Sequence, residues 1–257
     1  MSTVLQSVHA PEAAAASPVL RLQSVSAGYN QANVLNELDL QVGLGECVAI
    51  LGPNGVGKTT IMRTIAGLLR PRSGIVEWQS EVINGLPPHR VVHLGVAMVP
   101  EGRRLYGGMT VQENLLMGAY SAPRREALRR LEVIYGTFEL LKERGAQLAG
   151  TMSGGQQQLC AIGRALMSQP KLLLVDELSL GLSPAAIKQV IAALQTAMRM
   201  FQPTMLIVDQ DVQVAAELAS RGYFIDRGSV VRAGPMNELV NIELVRNLYF
   251  RPSTGSS

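Results

Sequence analysis

Short apolar runs and stretches with helical periodicity alternate along most of the chain. The run at 47–51 is wholly apolar and stops at a glycine, so it predicts a buried strand. The next stretch, 58–70, ends at a proline and predicts a helix. The same alternation returns later, with strands predicted at 171–175 and 205–208. Strands that alternate with helices predict an α/β fold with a largely parallel sheet.

Three other regions extend this pattern. Residues 19–29 and 34–42 are amphipathic with a turn between them, which predicts an antiparallel β pair at the edge of the sheet. An apolar run within 91–99 ends at a proline and predicts another strand. Near the end of the chain, 223–233 has the pattern of a hairpin. Further helices are predicted at 155–168, 184–200 and 212–220.

The middle of the chain is different. Thr110 and Glu113 have the spacing of a capping box, and the helical stretches 113–120 and 124–143 follow. We therefore expect an α-helical subdomain at about 101–152, inserted into the α/β core.

The composition indicates a packed globular protein. Of 257 residues, 47% are hydrophobic and 17% are charged, which argues against disorder. One domain is expected at 19–250, with flexible tails at 1–18 and 251–257. The net charge of +3 comes from scattered basic residues, so nucleic acid is not an expected partner. Cys47 and Cys160 lie in apolar surroundings and are expected to be free thiols.

The sequence predicts neither a signal peptide nor a membrane span. The N-terminal stretch lacks a basic region followed by an apolar run. The longest apolar runs are shorter than the ~20 residues that cross a bilayer. If the protein works at a membrane, we expect another chain to hold it there.

A glycine-rich loop joins the strand at 47–51 to the following helix. Gly52, Gly57, Lys58 and Thr59 fill the pattern G-x-x-x-x-G-K-[ST]. Glycines let the backbone wrap around phosphates, and the helix N-terminus adds partial positive charge. Lys58 is expected to reach the β- and γ-phosphates, and Thr59 to ligate Mg²⁺. The predicted ATP-binding residues of the loop are Gly52, Pro53, Asn54, Gly55, Val56, Gly57, Lys58, Thr59 and Thr60.

Two carboxylates follow the apolar strand at 171–175. Asp176 is expected to hold Mg²⁺, directly or through water. Glu177 is expected to act as the general base on the attacking water. Strands often end in acids at a surface, but the phosphate loop upstream favours the catalytic interpretation.

A second glycine motif opens the helix at 155–168. Ser153 can cap that helix, and Gly154 and Gly155 leave backbone N–H groups open. The combination GPNGVGKTT, MSGGQQQ and LLLVDE resembles the ATP-binding subunits of ABC transporters, over roughly residues 19–250.

The resemblance implies a fold, a cofactor set and an assembly. The expected fold is an ABC-type P-loop NTPase core, and the cofactors are ATP and Mg²⁺. Ser153, Gly155 and Gln156 would contact the ATP held by a second ATPase subunit, in a heterodimer or a homodimer. Tyr29 matches the aromatic residue that stacks on adenine, although an ordinary strand aromatic is the alternative.

Several segments are similar to branched-chain amino acid importer subunits of the LivF type. They are VPEGRR, AGTMSGG, AIGRALMS and SLGLSP. This similarity implies an ATPase on the cytoplasmic face of the inner membrane, attached to two permease subunits and served indirectly by an extracytoplasmic solute-binding protein. In the bridge to the helical subdomain, Arg103, Arg104, Leu105, Tyr106, Met109 and Thr110 are candidates for the permease-facing surface, or for packing inside the subdomain.

Two positions depart from the general family pattern, as they do in the LivF type. Glu101 stands where most members have glutamine, and it can offer an oxygen to Mg²⁺ or water. Gln210 replaces the usual histidine; it can hydrogen-bond the γ-phosphate but cannot carry a proton. We therefore expect the two ATP sites of the assembly to be unequal.

Other functions remain open from sequence alone. A regulatory module that binds ATP with little hydrolysis is disfavoured by Asp176 and Glu177. A DNA-maintenance ATPase would need a coiled-coil insertion longer than the gap between Lys58 and Ser153 allows. The resemblance implies that the chain does not touch the cargo, so urea and amides stay possible beside amino acids.

Overall fold

The structure is a computed structural model that describes residues 18–240. The predicted tails at 1–18 and 251–257 lie outside this range except for Pro18. Residues 241–250 of the predicted domain lie outside it as well.

A six-stranded sheet forms the centre of the fold. Its strands are β3 (Cys47–Leu51), β6 (Val96–Val99), β7 (Leu172–Asp176), β8 (Thr204–Val208), β9 (Arg221–Asp226) and β10 (Ser229–Pro235). The order is β10-β9-β3-β8-β7-β6, with all neighbours parallel except the hairpin β9–β10. The predicted parallel sheet and the hairpin are confirmed.

A second, four-stranded antiparallel sheet covers one side of the first. It consists of β1 (Leu20–Tyr29), β2 (Ala32–Val42), β4 (Ser73–Trp78) and β5 (Glu81–Val82), in the order β2-β1-β4-β5. The early antiparallel pair is confirmed, but it belongs to this separate sheet. Strands β4 and β5 were not predicted, because only two of their eight residues are buried and no long apolar run marks them.

The helices complete the layers. They are α1 (Lys58–Ile65), α2 (Pro88–His93), α3 (Val111–Met117), α4 (Arg124–Thr137), α5 (Glu139–Glu143), α6 (Gly154–Leu166), α7 (Pro184–Phe201), α8 (Val212–Ala216) and α9 (Met236–Leu239). Along β7, Leu172 and Leu174 join the apolar core under the antiparallel sheet, while Leu173 and Val175 join the core under the helices. Successive side chains of β7 therefore pack alternately into two different apolar cores.

Some element boundaries differ from the prediction, in two helices and one strand most clearly. The helix predicted at 58–70 ends at Ile65, since Gly67 has a φ of +72° that turns the chain. The stretch 124–143 breaks at Phe138, whose φ is −128°, into α4 and α5. The strand predicted within 91–99 starts too early, because Val91 and Val92 lie in α2, which Pro88 opens.

Helices α3 to α5 lie between β6 and α6, where the helical subdomain is expected. The capping box of α3 is confirmed: the Thr110 hydroxyl accepts from Glu113 N, and Glu113 Oε2 accepts from Thr110 N at 2.7 Å. Within 18–240 no helix has the length and apolarity needed to cross a bilayer.

Candidate functional site

The phosphate loop lies between β3 and α1, as predicted, and its glycines have conformations that other residues rarely adopt. Gly52 has a φ of +149°, and a Cβ there would collide with the Ile225 carbonyl oxygen. Gly57 has a φ of +110° at the start of α1, with Leu35 Cδ2 only 2.7 Å from the place of a Cβ. Both positions therefore require glycine for backbone reasons as well as for any ligand.

Lys58 is buried and its ammonium group is held by the loop itself. Its Nζ donates to the carbonyl oxygens of Gly52 and Pro53, each at 2.8 Å. Burial lowers the pKa of Lys58, and nearby negative charges, the largest from Glu177, oppose this shift. Among residues 18–240, no carboxylate forms an ion pair with this ammonium group.

The loop opens into a cleft of about 300 Å³. Its lining residues are Tyr29, Val34, Gly55, Gly57, Lys58, Thr59, Thr60, Arg63 and Glu177. Tyr29 is 40% exposed, and its hydroxyl accepts from Arg63 Nη1 at 2.9 Å. Arg63 was not predicted, although it lies four residues after Thr59 and therefore on the same face of α1.

Asp176 ends strand β7 beneath this loop and is 1% exposed. Its Oδ1 accepts from the Thr59 hydroxyl at 3.3 Å, whereas its buried Oδ2 has no hydrogen-bond partner among the described residues. Burial raises the pKa of Asp176 to about 6, and the negative charges of Glu177 and Glu101 add to this. An unpartnered buried carboxylate oxygen beside a hydroxyl fits a divalent cation, which takes oxygen ligands.

Glu101 lies near this pair but apart from the cleft. It lines a neighbouring cavity of about 190 Å³ together with Asp176, Arg63 and Arg104. In residues 18–240 no group of three or more carboxylate, imidazole or thiol side chains is placed to hold a metal ion. A cation at Thr59 and Asp176 therefore needs oxygens from a ligand, as Mg²⁺ does when it binds with phosphates.

Glu177 and Gln210 meet at the ends of neighbouring strands. Gln210 Nε2 donates to Glu177 Oε1 at 3.1 Å. Glu177 has a φ of +49°, which is unfavourable for a residue with a Cβ, and its N–H donates to Val208 O at 2.9 Å. This arrangement places one carboxylate and one amide beside the phosphate loop, where a water molecule can be deprotonated and oriented.

The state of Asp176 leads to a stability prediction. Asp176→Asn is expected to raise the free energy of unfolding of the nucleotide-free chain by on the order of 1 kcal/mol at pH 7. The folded-state pKa of Asp176, about 6, lies above the ordinary 3.8. Between these pH values the unfolded chain loses this proton while the folded chain keeps it, so the free energy of unfolding falls as pH rises, and the full loss is present above pH 6. The unpartnered amide nitrogen of asparagine offsets part of the gain.

Denaturant unfolding at several pH values tests this prediction. The advantage of the variant should shrink as pH falls from 6 towards 4, because the native carboxyl is then protonated in the folded state. An advantage that stayed constant from pH 4 to pH 7 would contradict it.

The second glycine motif lies elsewhere, at the start of α6. Ser153 N donates to Gln156 Oε1 at 3.0 Å, and the Ser153 hydroxyl accepts from Gln156 N, which forms a capping box. None of Ser153, Gly155 and Gln156 lines the cleft of the phosphate loop. Within the described residues, the two motifs therefore do not share a cleft.

Gly155 also has a packing role that the sequence did not reveal. A Cβ at this position would lie 2.8 Å from the Cβ of Ala186 on α7. Gly155→Ala is expected to lower the free energy of unfolding by about 1 to 3 kcal/mol, because the two helices must move apart. Gly154→Ala is the matched control, since the side-chain ends of Arg103 and Leu182, at 3.2 and 3.3 Å, can adjust.

Thermal unfolding of the single variants and of the double variant Gly155→Ala/Ala186→Gly tests the packing role. The double variant should regain part of the loss, less about 1 kcal/mol for glycine in a helix. A Gly155→Ala variant as stable as Gly154→Ala would refute the packing role.

Comparisons with known proteins agree with this geometry. The family model for ABC transporters matches residues 35–179, more than half of the chain. The branched-chain amino acid transport ATP-binding protein BraG of Pseudomonas aeruginosa is 38% identical over 231 residues, which cover 90% of this chain and 99% of BraG. The probable LivF protein of Archaeoglobus fulgidus is 32% identical, with 90% and 98% covered.

The fold has close counterparts among solved structures. The crystal structure of a nucleotide-free ATP-binding cassette of an ABC transporter superposes with a TM-score of 0.79 at 24% identity, and covers 89% of this chain and 97% of that one. The predicted fold class is thereby confirmed. From the family match, the relatives and this fold, we conclude that the chain is an ATPase of the ABC transporter family, a nucleotide-binding subunit of such a transporter.

Proposed function

We propose that this subunit hydrolyses ATP to drive the import of branched-chain amino acids through a separate permease. The observation that carries the catalytic part is the convergence of Lys58, Thr59 and Glu177 on one cleft, next to the buried Asp176 Oδ2, which has no hydrogen-bond partner within residues 18–240. The substrate class rests on BraG and LivF, whose names state branched-chain amino acid transport.

Each residue of the cleft has a distinct task in the proposed reaction. Lys58 leaves the Gly52 and Pro53 carbonyls and turns to the β- and γ-phosphates when ATP binds. Thr59 and Asp176 would hold Mg²⁺, which neutralises phosphate charge when bound. Glu177 takes the proton of the attacking water, and Gln210 keeps the Glu177 carboxylate oriented. Tyr29, at the edge of the cleft, offers its ring to adenine.

The proposed active unit contains two ATPase subunits. None of Ser153, Gly155 and Gln156 lines the cleft of its own chain, and Ser153 is exposed at a helix N-terminus. Backbone N–H groups at such a terminus favour a phosphate from another chain. The second subunit is either a copy of this chain or a related ATPase.

A groove of about 420 Å³ supports a contact with the permease. Arg104, Tyr106, Met117 and Tyr120 lie along it, and the three apolar side chains are 43% to 59% exposed. Clusters of exposed apolar side chains are typical of protein interfaces. We therefore propose this groove as the permease surface, which would hold the subunit at the cytoplasmic face of the inner membrane.

Two of the other candidates for this surface, Arg103 and Thr110, have internal contacts. Arg103 lies 3.3 Å from Gln157 Oε1, and Thr110 caps α3. Sequence reasoning missed Met117 and Tyr120 because they lie in and just after a helix, where exposure is not visible in a motif.

Co-purification tests the proposed assembly. The chain should be recovered with two permease subunits and should support uptake of leucine, isoleucine or valine in a cell that lacks its own importer. Tyr106→Glu should abolish both recovery and uptake. Val133→Glu is the control and should abolish neither, because Val133 is 50% exposed but does not line the groove. Uptake of urea or amides instead would contradict the substrate. Absence of a permease would contradict the transport role.

We also propose that the two ATP sites of the assembly work at unequal rates. The support is the negative charge of Glu101 near Asp176, together with Gln210 in place of a group that can carry a proton. Glu177→Gln in this chain and the matching change in a partner ATPase should then reduce turnover unequally. Equal reductions would contradict the asymmetry.

A further inference from the structure

A buried carboxylate that the proposed reaction does not use lies next to Gln210. Asp209 is 1% exposed at the end of β8. Its Oδ2 accepts from Ser179 N at 2.9 Å, and its Oδ1 accepts from the Ser179 hydroxyl at 2.7 Å and from Asp211 N at 2.9 Å. Burial raises the pKa of Asp209, while the hydrogen bonds to its carboxylate oppose that shift.

These bonds join two segments that are separate in sequence. Ser179 belongs to the turn after β7, and Asp209 to the turn after β8. Between them, Glu177 N donates to Val208 O at 2.9 Å, and the Leu178 side chain is 2% exposed. The backbone on both sides of the Glu177 side chain is therefore attached to the end of β8.

Glu177 needs such attachment because its backbone is strained. A φ of +49° costs a residue with a Cβ about 1 to 2 kcal/mol, and surrounding structure must impose it. If the turn were released, Glu177 would relax towards a common conformation and its carboxylate would move. The Gln210 contact, between half-buried and exposed side chains, is too weak to prevent this alone.

The donors around Asp209 specify a carboxylate. At least three donors point at its two oxygens, and the N–H groups of Ser179 and Asp211 among them belong to the backbone. Asparagine would have to turn its NH₂ group towards at least one of these donors, since it has a single acceptor oxygen. The site thus requires an acceptor-only side chain of this length.

We infer that Asp209 and Ser179 are positioning residues for ATP hydrolysis: their hydrogen bonds hold the turn that aims the Glu177 carboxylate into the phosphate cleft. This inference rests on the proposed role of Glu177 as general base. It assigns the pair to the chemical step and not to ATP binding, because neither residue lines the cleft.

Steady-state ATPase measurements on the full-length chain, assembled with its partner ATPase subunit or with a second copy of itself, test the inference. Ser179→Ala and Asp209→Asn should each lower kcat about ten- to a hundredfold, because a displacement of about 1 Å has this effect on a reacting group. The KM for ATP and the binding of a fluorescent ATP analogue should stay within about twofold. Ser179→Thr keeps the hydroxyl and should restore most of kcat.

Two controls separate positioning from stability and from the role of Glu177. Glu46→Gln removes the ion pair with Arg221 elsewhere in the sheet, so it should lower Tm but leave kcat unchanged. In a Glu177→Gln background, Ser179→Ala should cause no further loss of turnover, since the carboxylate that the turn positions is already absent.

The outcomes are distinct. If Ser179→Ala and Asp209→Asn lower Tm as Glu46→Gln does but keep more than half of kcat, the positioning role is wrong and the pair is only structural. If Glu177→Gln itself keeps its turnover, the general-base proposal fails and the positioning role fails with it. Should Asp209→Asn not fold, the comparison of Ser179→Ala with Ser179→Thr decides the question.

Discussion

Glu177→Gln is expected to reduce steady-state ATP turnover at least about a hundredfold while ATP still binds, since a positioned general base contributes 10² to 10⁴ in rate. Glutamine has the size of glutamate, and its Oε1 can still accept from Gln210 Nε2, which lies 3.1 Å from Glu177 Oε1 in the native chain. The change thus removes the base and keeps the geometry. It also removes a negative charge near Lys58, which should leave ATP affinity unchanged or higher.

Phosphate release and equilibrium binding of ATP, measured on the same preparation, test this expectation. Glu101→Gln is the matched control, because Glu101 lies outside the cleft but near Asp176. It should not reduce turnover, because we propose that the negative charge of Glu101 slows this site. Turnover above half of the native value in Glu177→Gln would exclude the general-base role, and equal losses in both variants would exclude a special role for Glu177.

The sequence predicted the parts of the fold whose patterns are strong. The buried strand Cys47–Leu51 and the strand Leu172–Asp176 have uniform apolar runs, and both are confirmed within one residue at each end. The strands at Ser73–Trp78 and Glu81–Val82 were missed, because only two of their eight residues are buried. Val91 and Val92 misled the prediction because β-branched residues favour strands.

The sequence predicted which residues form the candidate site, but not which of them are in contact. Motif spacing named Lys58, Thr59 and Asp176, since a phosphate loop requires those residue types. The hydrogen bond between Thr59 and Asp176 spans 117 residues, and the bonds between Ser179 and Asp209 span 30. Such contacts depend on which strands are neighbours in the sheet, and a single sequence does not specify that order.

Gly155 illustrates the same limit from the side of packing. Its place in the second glycine motif predicted a phosphate contact only. The nearness of Ala186 arises because α6 packs against α7. A glycine in a motif can therefore be required both by close packing and by ligand binding, and a structure is needed to detect the packing requirement.

Lys58→Ala is expected to weaken ATP binding by about ten- to a hundredfold, because a hydrogen bond to a charged group contributes about 1.5 to 3 kcal/mol. The same change should lower the stability of the nucleotide-free chain. It leaves the carbonyls of Gly52 and Pro53 without their donor and removes the positive charge that faces Asp176, Glu177 and Asp209. Binding and stability should fall together.

Isothermal titration with ATP and denaturant unfolding of the same variant test both effects. Lys171→Ala is the control: Lys171 is exposed and makes one side-chain hydrogen bond of 3.4 Å, to Gln79, so its removal should alter neither quantity. An ATP affinity within about threefold of the native value would mean that Lys58 serves the loop alone. If both predictions hold, Lys58→Ala loses ATP binding whereas Glu177→Gln loses only the chemical step.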